Sequence, residues 1–243
     1  MTLASSEAPT VGPSVFFDDV PKSGEALMSR DASRLEAGGA PSLLWFSWDR
    51  PTITVGRLQD PARALDLELC RAEGVPVVMR PTGGRAVFHV DEWTYGAVVP
   101  LDHPVLGGRL SESCRAIVAL LEAALTDAYG IAFTPGTAAG GEGPACFAGS
   151  YGYEAVVDGR KLMGSAQRRA GGHLLQQGSL LVGPGHERLG RYLLGGGSDA
   201  LARSAVTLTE LLGGRPDSAP FRSAVATRWR NACEAFVKHP RSS

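Results

Sequence analysis

Between Val75 and Pro100 three β-type runs, VPVVMR, AVFHV and TYGAVVP, follow one another with no helix between them. Strands joined by short turns are antiparallel neighbours or belong to different sheets, because a parallel pair needs a crossover of a dozen or more residues. A doubly wound βαβ architecture is therefore excluded for this part of the chain. The grouping recurs in YEAVVDG, RKLMGSAQRR and HLLQQGSLLVG, and earlier in VFFDDV, LLWFSW and TITVGR. The last two read as a hairpin-like pair about Asp49–Pro51.

Helical periodicity fills the spaces between these clusters. SGEALMSRDASRLEAGG has Ser23 as N-cap and Gly38 just past its end. ARALDLELCRAEG reads as one amphipathic helix, and SESCRAIVALLEAALTDAYG as the longest, with apolar residues at steps of three and four. Short helices are expected near 187–194, 204–212 and 221–238. The pattern predicts an α+β fold with a mixed, largely antiparallel sheet flanked by helices. It also predicts a disordered tail over residues 1–13 and a single domain over 14–243, since neither a repeat nor a linker interrupts the latter.

Composition removes several classes of function. A net charge of −1 over 243 residues offers no broad surface for a nucleic acid. With no apolar run of about 20 residues, no membrane-spanning helix is expected. The N-terminus lacks the basic and apolar regions of a signal peptide. Four cysteines, with no CxxC pair and no zinc-type spacing, predict free thiols in a reducing cytoplasm and no metal site.

Three stretches carry groups suited to chemistry. RPTGGRAVFH ends one strand, turns on Gly83 and Gly84 between Arg80 and Arg85, and begins another. Such glycines let backbone N–H groups approach a ligand or an anion, and they also serve plain β-turns. His89 either lines the same pocket or is a satisfied core residue. Cys146, in GPACFAGSYGYE, lies on irregular backbone, whereas Cys70, Cys114 and Cys233 lie in helical patterns. It reads as a nucleophile or as a small core residue. Lys161, in GRKLMGSAQRR, is one of only three lysines among 24 basic residues. Unlike arginine, its amine loses a proton when desolvated or placed near other cations. A thiol and an amine at strand ends match a nucleophile–base arrangement.

These stretches, RPTGGRAVFHVDEWTY and then CF, YE, GRKLMGSAQRR and LQQGSLL in order, resemble the biotin/lipoate protein ligase superfamily. SGEALMSRDASRLEAG is similar to that family's first helix. The GGRAV form and the CF pair resemble the cysteine-dependent octanoyltransferases within it. The resemblance implies transfer of an octanoyl group from acyl carrier protein, through a thioester on Cys146, to a lysine of a lipoyl domain such as the glycine cleavage H protein. It implies that Lys161 fixes the acyl carbonyl and assists the thiol. It further implies that Arg80, Thr82, Gly83, Gly84, Arg85, Ala86, His89, Gly164, Ser165 and Ala166 bind substrate, with Val78 and Val87 along the acyl chain. No cofactor is needed in that reaction. The alternatives are an ATP- and Mg²⁺-dependent lipoate ligase using the same pocket, and an inert relative that only binds lipoyl domains. The chain departs from the family at Gln176–Gln177, where a histidine is usual in the second position.

Overall fold

The computed structural model describes residues 14–134 and 154–237. Among the described residues there are two sheets. The larger holds six strands, β1 (Ser14–Lys22), β2 (Ser42–Trp48), β6 (Glu92–Pro100), β9 (His173–Leu181), β8 (Arg160–Ala170) and β7 (Ala155–Val157), side by side in that order. Only the β1–β2 pair is parallel. The smaller sheet places β3 (Thr52–Gly56) between β4 (Val77–Arg80), parallel to it, and β5 (Val87–His89), antiparallel. The predicted α+β class with a mixed, largely antiparallel sheet is the architecture found.

Both faces of the large sheet are covered, so its central strands are buried almost throughout rather than in alternation. In β6, Tyr95, Ala97 and Val99 face α4 (Leu110–Tyr129) and α8 (Ala219–Val237), where they join Ile117, Leu121, Phe221 and Trp229. From the other side, Val98 packs with Leu175 against Leu35 of α1 (Gly24–Ala37). Helix α1 begins at Ser23, whose Oγ accepts from the Ala26 N–H at 3.4 Å, and ends at Gly38, as its sequence predicted. The smaller sheet has its own core of Ile53, Val55, Phe88, Leu65 and Tyr192.

Three local expectations are corrected. β2 and β3 do not form a hairpin: β2 is flanked by β1 and β6, while β3 belongs to the small sheet. The turn about Asp49–Pro51 carries the chain from one sheet to the other, because Leu43, Leu44, Trp45 and Phe46 are buried on both faces and need both large-sheet neighbours. The expected helix after Pro61 is two, α2 (Pro61–Ala64) and α3 (Leu67–Ala72). Asp60 caps the first and Asp66 the second, by accepting from the N–H groups of Ala62 (3.0 Å) and Leu69 (2.9 Å). The second cap needs extended backbone before it, and Leu65 provides it. The tail likewise holds α6 (Ser198–Ser204) and α7 (Leu208–Leu212) in place of one helix, after a 3₁₀ turn at His186–Arg188 and α5 (Leu189–Tyr192). Among the described residues no helix is long and apolar enough to cross a membrane.

Within the small sheet, the end of β3 lies tight against the turn after β4. A Cβ built on Gly56 would lie 2.0 Å from the carbonyl oxygen of Gly84, whereas one built on Gly83 meets nothing within 4 Å. Gly56→Ala is expected to lower stability by about 2 kcal/mol or more, since backbone is what must move, and to lower Tm by about 5 °C. Gly83→Ala is expected to be near neutral. Thermal denaturation of the two variants side by side checks the contrast.

Candidate active site

The turn after β4 is built around a buried guanidinium. Arg80 is 6% exposed. Its Nε and Nη2 donate to the Gly83 carbonyl (3.1 and 2.7 Å), Nη2 also to the Arg85 carbonyl (2.7 Å), and Nη1 to the backbone oxygen and Oγ1 of Thr54 (3.3 and 3.2 Å). Thus Arg80 holds the turn from inside. Gly84 takes φ +88°, a conformation that favours glycine, with the Arg80 guanidinium lying where a Cβ would be. Arg85 contributes its carbonyl to this clamp. Ala86, fully buried in the small-sheet core, supports the turn from behind.

Beyond the turn the bonded chain continues. Thr54 Oγ1 lies 2.7 Å from His89 Nε2, and His89 Nδ1 donates to Glu92 Oε1 at 2.6 Å. The same oxygen accepts from Thr94 Oγ1 (2.5 Å) and Ser179 Oγ (2.8 Å). Trp48 stacks on the His89 ring at 4.0 Å and donates its Nε1–H to Thr94. Burial alone would raise the Glu92 pKa. The neighbouring His89 charge and the three hydrogen bonds outweigh it and hold the carboxyl below its ordinary value.

On the other side of the turn, Thr82 Oγ1 donates to Gln177 Oε1 (2.8 Å), and Gln177 Nε2 donates to Asp31 Oδ2 (2.8 Å). Asp31 is fully buried on α1, and burial raises its pKa despite the nearby Arg34.

Between these two tethers runs a cleft with an empty volume of about 410 Å³, including its open side. One wall is Gly164, Ser165, Ala166, Gln177, Gly178 and Ser179 of β8 and β9; the other includes Thr54, Arg80, Val87 and His89 of the small sheet. Met28 and Trp48 add apolar surface. Val87 lines it as expected; Val78 does not, and packs instead with Leu27 and Phe46 under α1. Thr82, Gly83, Gly84 and Arg85 shape the cleft without lining it.

Lys161 reaches this face of the large sheet through a bulge. Val156 pairs with Lys161, but Ala155 pairs with Met163, so Leu162 is the extra residue on β8. Leu162 and Met163 both enter the α4 core, together with Ala155 and Val157. Val156 is outside that core, and paired residues share a face. Lys161 therefore lies on the face of Gly164 and Ala166. It is 1% exposed, with Nζ 3.4 Å from Glu154 Oε1, itself 6% exposed. β7 pairs with β8 only as far as Met163. Among the described residues no strand pairs with β8 on that side from Gly164 onward.

Cys146 lies outside the described residues. Cys70, Cys114 and Cys233 are buried in helices; burial pushes their thiols up, the last two to about 11 and about 12, so they are protonated and unreactive at neutral pH. Glu92, Asp31, Thr54, Trp48 and Glu154 were not singled out in the sequence. Asp31 had a signal: it occupies the apolar stripe formed by Leu27, Met28 and Leu35. Among the described residues no group of three His, Cys, Asp or Glu side chains is placed to hold a metal.

The family model for the lipoyl protein ligase A/B catalytic domain matches residues 25–230. The chain is 39% identical over 171 residues to the octanoyltransferase LipM of Carboxydothermus hydrogenoformans, covering 68% of this chain and 63% of that protein. It is 40% identical over 144 residues to the LipM of Moorella thermoacetica, covering 58% and 53%. The matched region thus spans less than two thirds of each relative. In fold, the chain is similar to the bipartite lipoate protein ligase of Thermoplasma acidophilum (TM-score 0.69, 16% identity, 90% of this chain and 83% of that one). It is also similar to LipL1 of P. falciparum (TM-score 0.70, 16% identity, 96% and 65%).

The depressed Glu92 pKa fixes a sign. Ionised Glu92 stabilises the fold above the unfolded value, ordinarily 4.5, and this contribution is lost as pH falls through the lower folded value. Glu92→Gln is expected to cost about 1–3 kcal/mol at pH 7, and the gap to wild type is expected to shrink progressively below pH 4.5. Urea unfolding of both proteins from pH 7 down to pH 3 measures it.

Proposed function

The chain belongs to the lipoyl protein ligase A/B catalytic-domain family, and on that premise we propose that it is an octanoyltransferase that moves an octanoyl group from acyl carrier protein to a lysine of a lipoyl domain. The observation that carries this reading is the partly apolar cleft whose β8 wall continues, on one strand face, to buried Lys161. The LipM relatives support the choice of transfer over ligation.

In the first step the Cys146 thiolate attacks the thioester carbonyl of the donor. A new C–S bond forms, and the carbonyl π electrons move onto oxygen. Lys161 and backbone N–H groups along Gly164–Ala166 stabilise that oxyanion; one such donor is typically worth about 3–4 kcal/mol. The oxyanion collapses and expels the donor's thiolate, which takes a proton. One thioester replaces another, so no ATP is required. In the second step the acceptor amine attacks the acyl-enzyme, loses a proton and expels the Cys146 thiolate, leaving an amide. Cys146 and Lys161 are the proposed catalytic residues. Arg80, Thr82, Gly83, Gly84, Arg85, Ala86 and His89 hold the substrate-binding wall in place, and Glu154 orients Lys161.

Met28, Trp48 and Val87 supply the apolar surface for the chain. Each buried CH₂ contributes about 0.8 kcal/mol, so an eight-carbon chain supplies several kcal/mol of binding.

Incubation with octanoyl–acyl carrier protein, followed by intact mass, is expected to show one octanoyl adduct without ATP and none in Cys146→Ser. Lys161→Ala is expected to slow adduct formation by about 10²–10³-fold. Acylation that uses free octanoate and depends strictly on ATP and Mg²⁺ would establish the ligase reading instead.

A further inference from the structure

The cleft lies between two sheets, so its width is the distance between them. At one end the sheets are joined through Glu92, which accepts from His89 of the small sheet and Ser179 of the large one. At the other end a hydrogen-bonded joint runs through one side chain of β9. Gln177, on β9, accepts from Thr82 in the glycine turn and donates to Asp31 on α1. Its amide uses opposite ends for the two partners: the Thr82 hydroxyl needs an acceptor, and the Asp31 carboxylate needs a donor.

Asp31 is a firm anchor. It accepts from Arg34 at 3.1 Å, and a Cβ on Gly96 of β6 would come within 2.6 Å of its carboxylate, so α1 is pressed directly against the sheet. Thr82 is fully buried, and its carbonyl accepts from the Arg57 N–H at 3.0 Å, which ties the turn to β3. Gln177 itself lines the cleft, with its Nε2 3.4 Å from Met28 Sδ.

We infer that Gln177 is a positioning residue: through Thr82 and Asp31 it sets the separation of the two cleft walls, and thereby which acyl-chain length the cleft accepts. The inference rests on the reading of the cleft as an acyl site. Without the Gln177 bond the turn loses this tether to the large sheet, and the wall moves outward to admit a longer or bulkier chain.

The test is binding of straight-chain carboxylic acids of six, eight, ten and twelve carbons, followed by tryptophan fluorescence, because Trp48 lines the cleft. Wild type is expected to show a maximum of affinity at one length. Gln177→Met, which keeps the length of the side chain but neither bond, and Thr82→Val are each expected to improve binding of the acid two carbons longer by about tenfold relative to that optimum, as two further CH₂ groups become buried. Thr82→Ser, which keeps the hydroxyl, is expected to retain the wild-type profile. A profile of unchanged shape in Gln177→Met and Thr82→Val, or uniform weakening at every length, overturns the inference, as does the absence of saturable binding in wild type. Should Gln177→Met not fold, Thr82→Val carries the same comparison. A protein that binds the acids with the expected profile but forms no octanoyl adduct retains the spacer role of Gln177 and loses the transferase reading.

Discussion

Arg80 is the residue on which the site's geometry depends. A guanidinium that is 6% exposed makes five hydrogen bonds there to carbonyl oxygens and a threonine hydroxyl. Burying such a charge is tolerable only when its donors are used, and using them bends the following residues around it. The glycine turn is thus a consequence of satisfying one cation. The same demand places Gly84 in a conformation that a side chain would strain, and brings its carbonyl onto Gly56. Clamp, turn and strand end form one unit, and the polar chain through Thr54 and His89 extends it to Glu92.

The bulge in β8 solves a second problem. A strand alternates its side chains, so Lys161 would share the face of Met163 and enter the apolar core against α4. One extra residue, Leu162, sends two consecutive apolar side chains into that core and turns Lys161 to the opposite face, where Glu154 meets it. The sequence KLM encodes this device: a basic residue followed by two large apolar ones cannot satisfy simple alternation on a half-buried strand.

The strand clusters, the longest helix and the ends of α1 were readable because hydrophobic period and capping are local signals. The destination of each strand was not. LLWFSW and TITVGR look like hairpin arms, and only the competition for neighbours in two sheets separates them. The helix after Pro61 was misread because its periodicity continues across Leu65, while the two aspartate caps that divide it depend on side-chain direction. At the site, the glycine turn, Lys161 and the Gly164–Ala166 run were visible as unusual residues in a strand context. Glu92 and Gln177 were not assigned roles, because what distinguishes them is which buried group each one meets across the fold. Asp31 differs: a carboxylate within the stripe of Leu27, Met28 and Leu35 breaks the helix's own pattern and could have been read directly.

The small sheet carries a separate apolar core, and a few side-chain hydrogen bonds help to join it to the large one. Cohesion of this kind differs from that of β6 and β9, whose amides are locked under helices on both faces. Amide exchange in such a protein divides into cooperative units with separate opening free energies. A small sheet joined in this way is the unit expected to open first, with β6 and β9 still native. Entry to the cleft and exit from it would then draw on a breathing motion that leaves the main body of the molecule folded.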